Sequence, residues 1–73
     1  MAGEYEDAVN QIGAVDLPYG KSLRLEEVVY EGGMKLLRLR IREGSRFTVV
    51  ELDAASAAEW AGLMADWSTS GSE

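Results

Sequence analysis

Two residue pairs, Gly32-Gly33 and Gly44-Ser45, divide the middle of the 73-residue chain into three runs rich in β-branched and aliphatic side chains. Short glycine-containing loops between such runs are typical of β-hairpins, because tight hairpin turns need a positive φ. The pattern predicts strands over residues 22–31, 34–43 and 46–52. We therefore expect a three-stranded antiparallel meander.

Two-residue loops fix the register, which the side-chain pattern can test. In the second hairpin Leu39 then faces Val50 on a row that is almost wholly apolar, whereas Arg40 faces Val49 on a charged row. One face of the sheet is thus predicted to be core and the other to be polar.

The alternation of apolar residues slips at Glu26-Glu27 in the first predicted strand. One extra residue there, a β-bulge, would place Leu25 opposite Leu39 on the core face. We predict that bulge. It would also put Glu27 beside Arg38 and create a row of Glu27, Arg38 and Glu51 across the three strands on the outer face.

The segment 53–67 predicts a helix, because Asp53 suits an N-cap and six alanines fall within residues 54–67. At 100° per residue, one arc of this helix holds apolar residues that are expected to cover the apolar face of the sheet. These are Ala57, Trp60, Leu63, Met64 and Trp67. For the two tryptophans, packing in the core is favoured over lining a ligand pocket.

The ends of the chain are less clearly patterned. Tyr5, Ala8, Val9 and Ile12 have helical spacing and favour a short helix within residues 1–20, with a fourth strand within residues 12–17 as the alternative. Residues 68–73 are rich in serine and glycine and are expected to form a disordered tail. The whole chain then forms one α+β domain, with the helix packed on one face of the meander.

Two absences exclude most chemistry. The chain has no histidine and no cysteine, so it lacks the usual general base, the usual transition-metal ligand and any thiol. We expect no enzyme activity, no cofactor and no metal. An acidic N-terminus and the lack of a long apolar run favour a cytoplasmic protein without membrane contact.

The basic residues form the first candidate site. The register places Arg24, Arg38, Arg40 and Arg42 on the outer face together with Phe47, an arrangement that suits single-stranded nucleic acid. The alternatives are a solvated face, with Arg38 paired to acids and Arg42 over Phe47, or burial against another subunit. The net charge of −6 disfavours nucleic acid, although residues 20–52 alone carry +2.

The second candidate is a strip of small residues on the helix, Ala55, Ala58 and Gly62. A glycine inside a helix costs about 1 kcal/mol relative to alanine, which suggests a close approach there. The strip could contact a helix of a second subunit or the N-terminal segment of the same chain. The alternative is that alanine simply favours a helix and Gly62 is tolerated.

The residues from Tyr19 to Tyr30, with the continuation from Leu37 to Gly44, resemble a family of small uncharacterised bacterial proteins of the domain-of-unknown-function kind, over about residues 17 to 67. That resemblance implies no activity. A meander followed by Leu52-Asp53 and a helix with Trp60 is more distantly similar to single-stranded-DNA-binding transcriptional coactivators. This second resemblance implies sheet-plus-helix units that dimerise and bind DNA on the sheet.

These observations favour a non-enzymatic interaction module that works as a homodimer. The core is small, and two half-apolar surfaces, the outer sheet face and the helix strip, would be exposed to water in a monomer. The alternative function is single-stranded nucleic-acid binding through the arginine-bearing face.

Overall fold

The protein is a four-stranded antiparallel sheet followed by one helix. The computed structural model describes the backbone of residues 6–70 and the side chains of residues 8–70. Strands β1 (Glu6–Leu17), β2 (Lys21–Tyr30), β3 (Lys35–Glu43) and β4 (Arg46–Leu52) pair in chain order, and α1 (Ala54–Ser70) ends the described chain. The α+β class and the meander are confirmed, but the expected number of three strands is wrong.

The additional strand, β1, replaces the N-terminal helix predicted within residues 1–20. It pairs with β2 along its length, and its register shifts between Gln11 and Gly13, so Ile12 is an extra residue in the ladder. Such a bulge reverses the alternation of faces, so the apolar residues do not keep a period of two, and Ala8, Val9 and Ile12 have helical spacing. That spacing imitates a helix in the sequence, although the segment is extended.

The turn between β2 and β3 explains why the predicted bulge at Glu26-Glu27 is wrong. Glu31, Gly32 and Gly33 all lie in the turn, since the Tyr30 amide donates to the Met34 carbonyl at 2.7 Å. This three-residue turn shifts the register by one position, so β2 and β3 pair without interruption. Leu25 faces Leu39 as predicted, but no bulge is needed.

The second hairpin has the predicted register. Leu39 faces Val50, Arg40 faces Val49 and Arg38 faces Glu51, and Gly44 in the two-residue turn has a φ of +64°. The left-handed conformation of Gly44 is one that residues with a Cβ adopt only at a cost. The two-residue loop thus fixes the register between β3 and β4.

Helix α1 begins after the predicted N-cap. The Ser56 amide donates to the Asp53 carboxylate at 2.8 Å, and hydrogen bonds from Ser56 hold the pKa of Asp53 below its usual value. The helix continues to Ser70, so residues 68–70 of the expected tail are helical, while residues 71–73 lie outside the described residues. Within residues 6–70, no helix is long and apolar enough to cross a membrane.

The helix covers little of the sheet. It meets the sheet mainly at β3 and β4, and Trp60 and Trp67 remain 44% and 74% exposed. Of the described apolar side chains, Val28 and Leu39 alone are buried. The expectation that the two tryptophans pack in the core is therefore wrong within one chain, because α1 covers too little of the sheet to bury them.

Candidate functional site

The two faces of the sheet differ in chemistry. We call the face under α1 the helix face and the opposite one the open face. Side chains alternate between faces along each strand, and residues paired in register share a face. Because Arg24 pairs with Arg40 and Arg42 pairs with Phe47, the candidate residues Arg24, Arg38, Arg40, Arg42 and Phe47 all lie on the open face.

A buried carboxylate organises the centre of the open face. Glu26 is 3% exposed, and its carboxylate accepts hydrogen bonds from the Gln11 amide at 2.8 Å and from Arg40 Nε at 3.0 Å. Arg38 Nη1 lies 3.8 Å from the same carboxylate. The hydrogen bond from Gln11, followed by the one from Arg40, lowers the pKa of Glu26, so the carboxylate is held ionised.

The row predicted as Glu27, Arg38 and Glu51 contains Glu26 instead of Glu27. The register between β2 and β3 pairs Glu26 with Arg38, whereas Glu27 faces Leu37 on the helix face and accepts a hydrogen bond from Asn10 at 3.2 Å. The misplaced bulge is the cause of the error. Because β2 has no bulge there, the adjacent carboxylates of Glu26 and Glu27 point to opposite faces and cannot form one acid pair or metal site.

Glu51 completes the row on β4. Arg38 Nη2 lies 2.9 Å from its carboxylate, and the Tyr30 hydroxyl donates to the same carboxylate at 2.7 Å. The hydrogen bond from Tyr30 lowers the pKa of Glu51, and the same bond raises the pKa of Tyr30. Arg38, only 7% exposed, is therefore fixed between two carboxylates.

The other three candidate arginines line a shallow cavity of about 170 Å³, which we call the arginine pocket. Its lining is Ser22, Arg24, Arg40, Arg42 and Phe47. The Arg42 guanidinium lies 5.9 Å from the centre of the Phe47 ring, within cation–π range, and its Nε donates to the Gly44 carbonyl at 3.1 Å. The structure thus brings together four of the five candidate residues and separates Arg38 from them.

A second concave surface, the apolar cleft, lies between the helix face and α1. Its volume is about 230 Å³, and its lining is almost entirely apolar. It includes Leu23, Leu25, Leu39 and Ile41 from the sheet and Trp60 and Met64 from α1. Exposed apolar surface that continues into an open cleft is characteristic of an interaction site.

The C-terminal half of α1 carries an exposed ridge of Leu63, Met64 and Trp67, which we call the helix ridge. These side chains are 63%, 61% and 74% exposed, and together with Ser68 they line a further shallow concavity. Met64 belongs to both surfaces. The apolar cleft and the helix ridge therefore form one continuous apolar surface.

The strip of Ala55, Ala58 and Gly62 lies outside this surface. None of the three lines the apolar cleft, and a Cβ added at Gly62 would meet no atom within 4 Å in the described structure. The N-terminal segment, residues 6–17, is the far edge strand of the sheet and does not use the strip. The structure therefore gives no contact within the chain that requires a glycine at position 62.

Sequence reasoning missed three residues of the open face. The Gln11 amide donates a hydrogen bond to Glu26, and the Tyr30 hydroxyl donates one to Glu51. Ser22 is the third, and it lines the arginine pocket. The polar side chain of Gln11 was a usable signal, but it becomes informative only once β1 is known to be a strand.

The comparisons with known proteins identify a family whose function is unknown. A family model described as a family of unknown function matches residues 6–70. No curated protein and no solved structure matches the chain, so the distant similarity to transcriptional coactivators receives no support from them.

Proposed function

Since the chain belongs to DUF6967, a family of unknown function, its role has to be argued from its surfaces, and we propose a non-enzymatic interaction module that works as a homodimer. In this dimer the helix ridge of each protomer lies in the apolar cleft of the other. The observation that carries the proposal is the continuous apolar surface that one chain leaves exposed. The lack of cysteine suits a reducing compartment, so we propose a cytoplasmic location.

The amount of exposed surface supports a missing partner. A folded monomer of 8.0 kDa is expected to expose about 4,450 Å², whereas this chain exposes 5,670 Å². The side chains of the helix ridge, each more than 60% exposed, are the part of this surface that the proposed partner would cover. The radius of gyration of 14.4 Å is likewise larger than the roughly 11 Å typical of this length.

The arrangement of the surface favours a symmetric pair. In a twofold dimer the same patch is used by both copies, so a patch must be complementary to itself. Here a concave part and a ridge adjoin at Met64. In the proposed dimer each ridge would cover the part of the sheet that its own helix leaves uncovered, near Leu23 and Leu25 of β2.

A charge placed on the helix ridge tests the proposal. Leu63→Glu is expected to convert the dimer to a monomer in sedimentation velocity, because Leu63 is exposed in one chain and buried in the dimer. Ala58→Glu is the matched control, with the same new charge on the other side of the same helix, and should leave the dimer intact. If Ala58→Glu dissociates the dimer and Leu63→Glu has no effect, the interface lies on the small-residue strip and not on the helix ridge.

Single-stranded nucleic-acid binding on the open face is the second candidate. Arg24, which has no ion-pair partner within 4 Å among the described residues, and the exposed ring of Phe47 favour it. Glu26 and Glu51 weigh against it, since they occupy Arg38 and one edge of Arg40. Titration of a labelled oligonucleotide at two salt concentrations tests it, because binding to phosphates must tighten as salt falls.

A further inference from the structure

The arginine pocket concentrates three positive charges, and among the described residues only that of Arg40 has an ion-pair partner, Glu26. Arg24 and Arg40 are directly opposite each other on β2 and β3, and Arg42 is the next residue on the same face of β3. Like charges at paired positions, whose Cβ atoms are about 5 Å apart, destabilise a sheet. Among the described residues Glu26 offsets the charge of Arg40 alone of these three, and a local rule broken in this way is typical of a functional position.

The hydrogen bonds of these arginines leave donors free to face the pocket. Glu26 bonds Arg40 through Nε and Gly44 bonds Arg42 through Nε, so the terminal Nη groups of both side chains keep no hydrogen-bond partner among the described residues. Asp16 lies opposite Ser22 in register, yet no ion pair within 4 Å joins it to the described arginines. Three arginine side chains and Ser22 thus line a space of about 170 Å³.

From this arrangement we propose that the arginine pocket binds the phosphate group of a small phosphate monoester. Planar guanidinium groups match the geometry of a phosphate, and each can donate two parallel hydrogen bonds to it. The cavity is smaller than the ~300 Å³ at the lower end of pockets that enclose whole ligands. It therefore accommodates the phosphate, and the rest of the ligand lies on the exposed ring of Phe47, which is 67% exposed.

The geometry favours one phosphate over a polynucleotide. A single-stranded nucleic acid needs a positive track and several aromatic platforms. On the open face the track is interrupted, because Arg38 is held between Glu26 and Glu51, and Phe47 is the one aromatic side chain lining the pocket. The pocket also lies on the sheet face opposite the apolar cleft, so its occupation does not depend on the proposed dimer.

Titration followed by NMR tests the site directly. Adenosine monophosphate and inorganic phosphate should each shift the side-chain Nε–Hε resonances of Arg24, Arg40 and Arg42, whereas adenosine should not. Arg24→Gln and Arg42→Gln should each weaken adenosine monophosphate binding about tenfold or more, since each removes a charged donor. Arg46→Gln, which removes an exposed arginine on the helix face, is the matched control and should change binding less than about twofold.

Three outcomes would overturn the proposal. The first is the absence of any phosphate-induced shift at these three arginines in the folded wild-type protein. The second is equal weakening by Arg24→Gln and Arg46→Gln, which would indicate attraction without a site. The third is tighter binding of an oligothymidylate without a terminal phosphate than of adenosine monophosphate, with affinity that increases with its length. That result would favour nucleic acid instead.

Discussion

Replacement of Trp67 by alanine tests the proposed dimer, because the size of its effect on association can be worked out from the structure. The side chain is 74% exposed in one chain. A tryptophan can bury up to about 250 Å², so roughly 185 Å² is available to a partner, and at ~25 cal/mol per Å² this gives an upper limit near 4–5 kcal/mol per protomer. Incomplete burial and side-chain ordering reduce it to about 2 kcal/mol.

Both protomers lose this contact in the dimer, so Trp67→Ala should weaken association by about 4 kcal/mol, or roughly a thousandfold in the dissociation constant. Sedimentation velocity over a concentration series measures this constant. Urea unfolding at two protein concentrations provides a second measurement, because the stability of a dimer increases with concentration. Asp66→Ala, on the outer side of the same turn, is the control and should change the constant by less than about threefold.

An unchanged dissociation constant for Trp67→Ala, within about twofold of the wild-type value, would refute the placement of the helix ridge in the interface. Unfolding of the wild-type protein that is independent of concentration would refute the dimer itself.

Three further perturbations test other parts of the structure. The pKa values of Glu26 and Glu51 lie below their ordinary value of 4.5, so their contribution to stability is complete above pH 4.5 and is lost as the pH falls through the lowered values. The urea midpoint should therefore fall on acidification, and less so in Glu26→Gln. Arg38→Leu leaves two carboxylates without their common cation and should lower the free energy of unfolding by about 3 kcal/mol, whereas Arg46→Leu should have almost no effect. Gly62→Ala should raise that free energy by up to about 1 kcal/mol, since nothing lies within 4 Å of the new methyl group; a fall would indicate that a partner packs on the small-residue strip.

The second hairpin could be predicted from the sequence because two physical signals agree there. The loop Gly44-Ser45 has two residues, and the resulting register places Leu39 opposite Val50 and Arg40 opposite Val49. A register slip of one residue would have put every side chain on the wrong face. Loop chemistry and side-chain alternation therefore support the same register for the second hairpin.

The first hairpin and β1 could not be predicted in the same way, because an irregularity can be placed at several positions. A three-residue turn at residues 31–33 and a bulge at Glu26-Glu27 both bring Leu25 opposite Leu39, and the sequence alone does not distinguish them. The bulge at Ile12 in β1 gave apolar residues a helical spacing. Tertiary pairing with β2 outweighed that local pattern.

The candidate site shows the same division. The position of the arginines on one face follows from alternation alone and was predictable. Which of them are occupied by carboxylates depends on the register to one residue, so Glu27 was chosen where Glu26 lies. The exposure of Trp67 was not predictable either, because an apolar arc on a helix does not reveal whether its own sheet or a second copy covers it.

The most direct test of the dimer is an isotope-filtered NOE experiment on an equimolar mixture of labelled and unlabelled chains. The proposal predicts intermolecular NOEs from the Trp67 indole protons of one chain to the leucine and isoleucine methyl groups that line the apolar cleft of the other. A species that sediments at the 8.0 kDa mass of one chain, with no intermolecular NOE to those methyl groups, would contradict it.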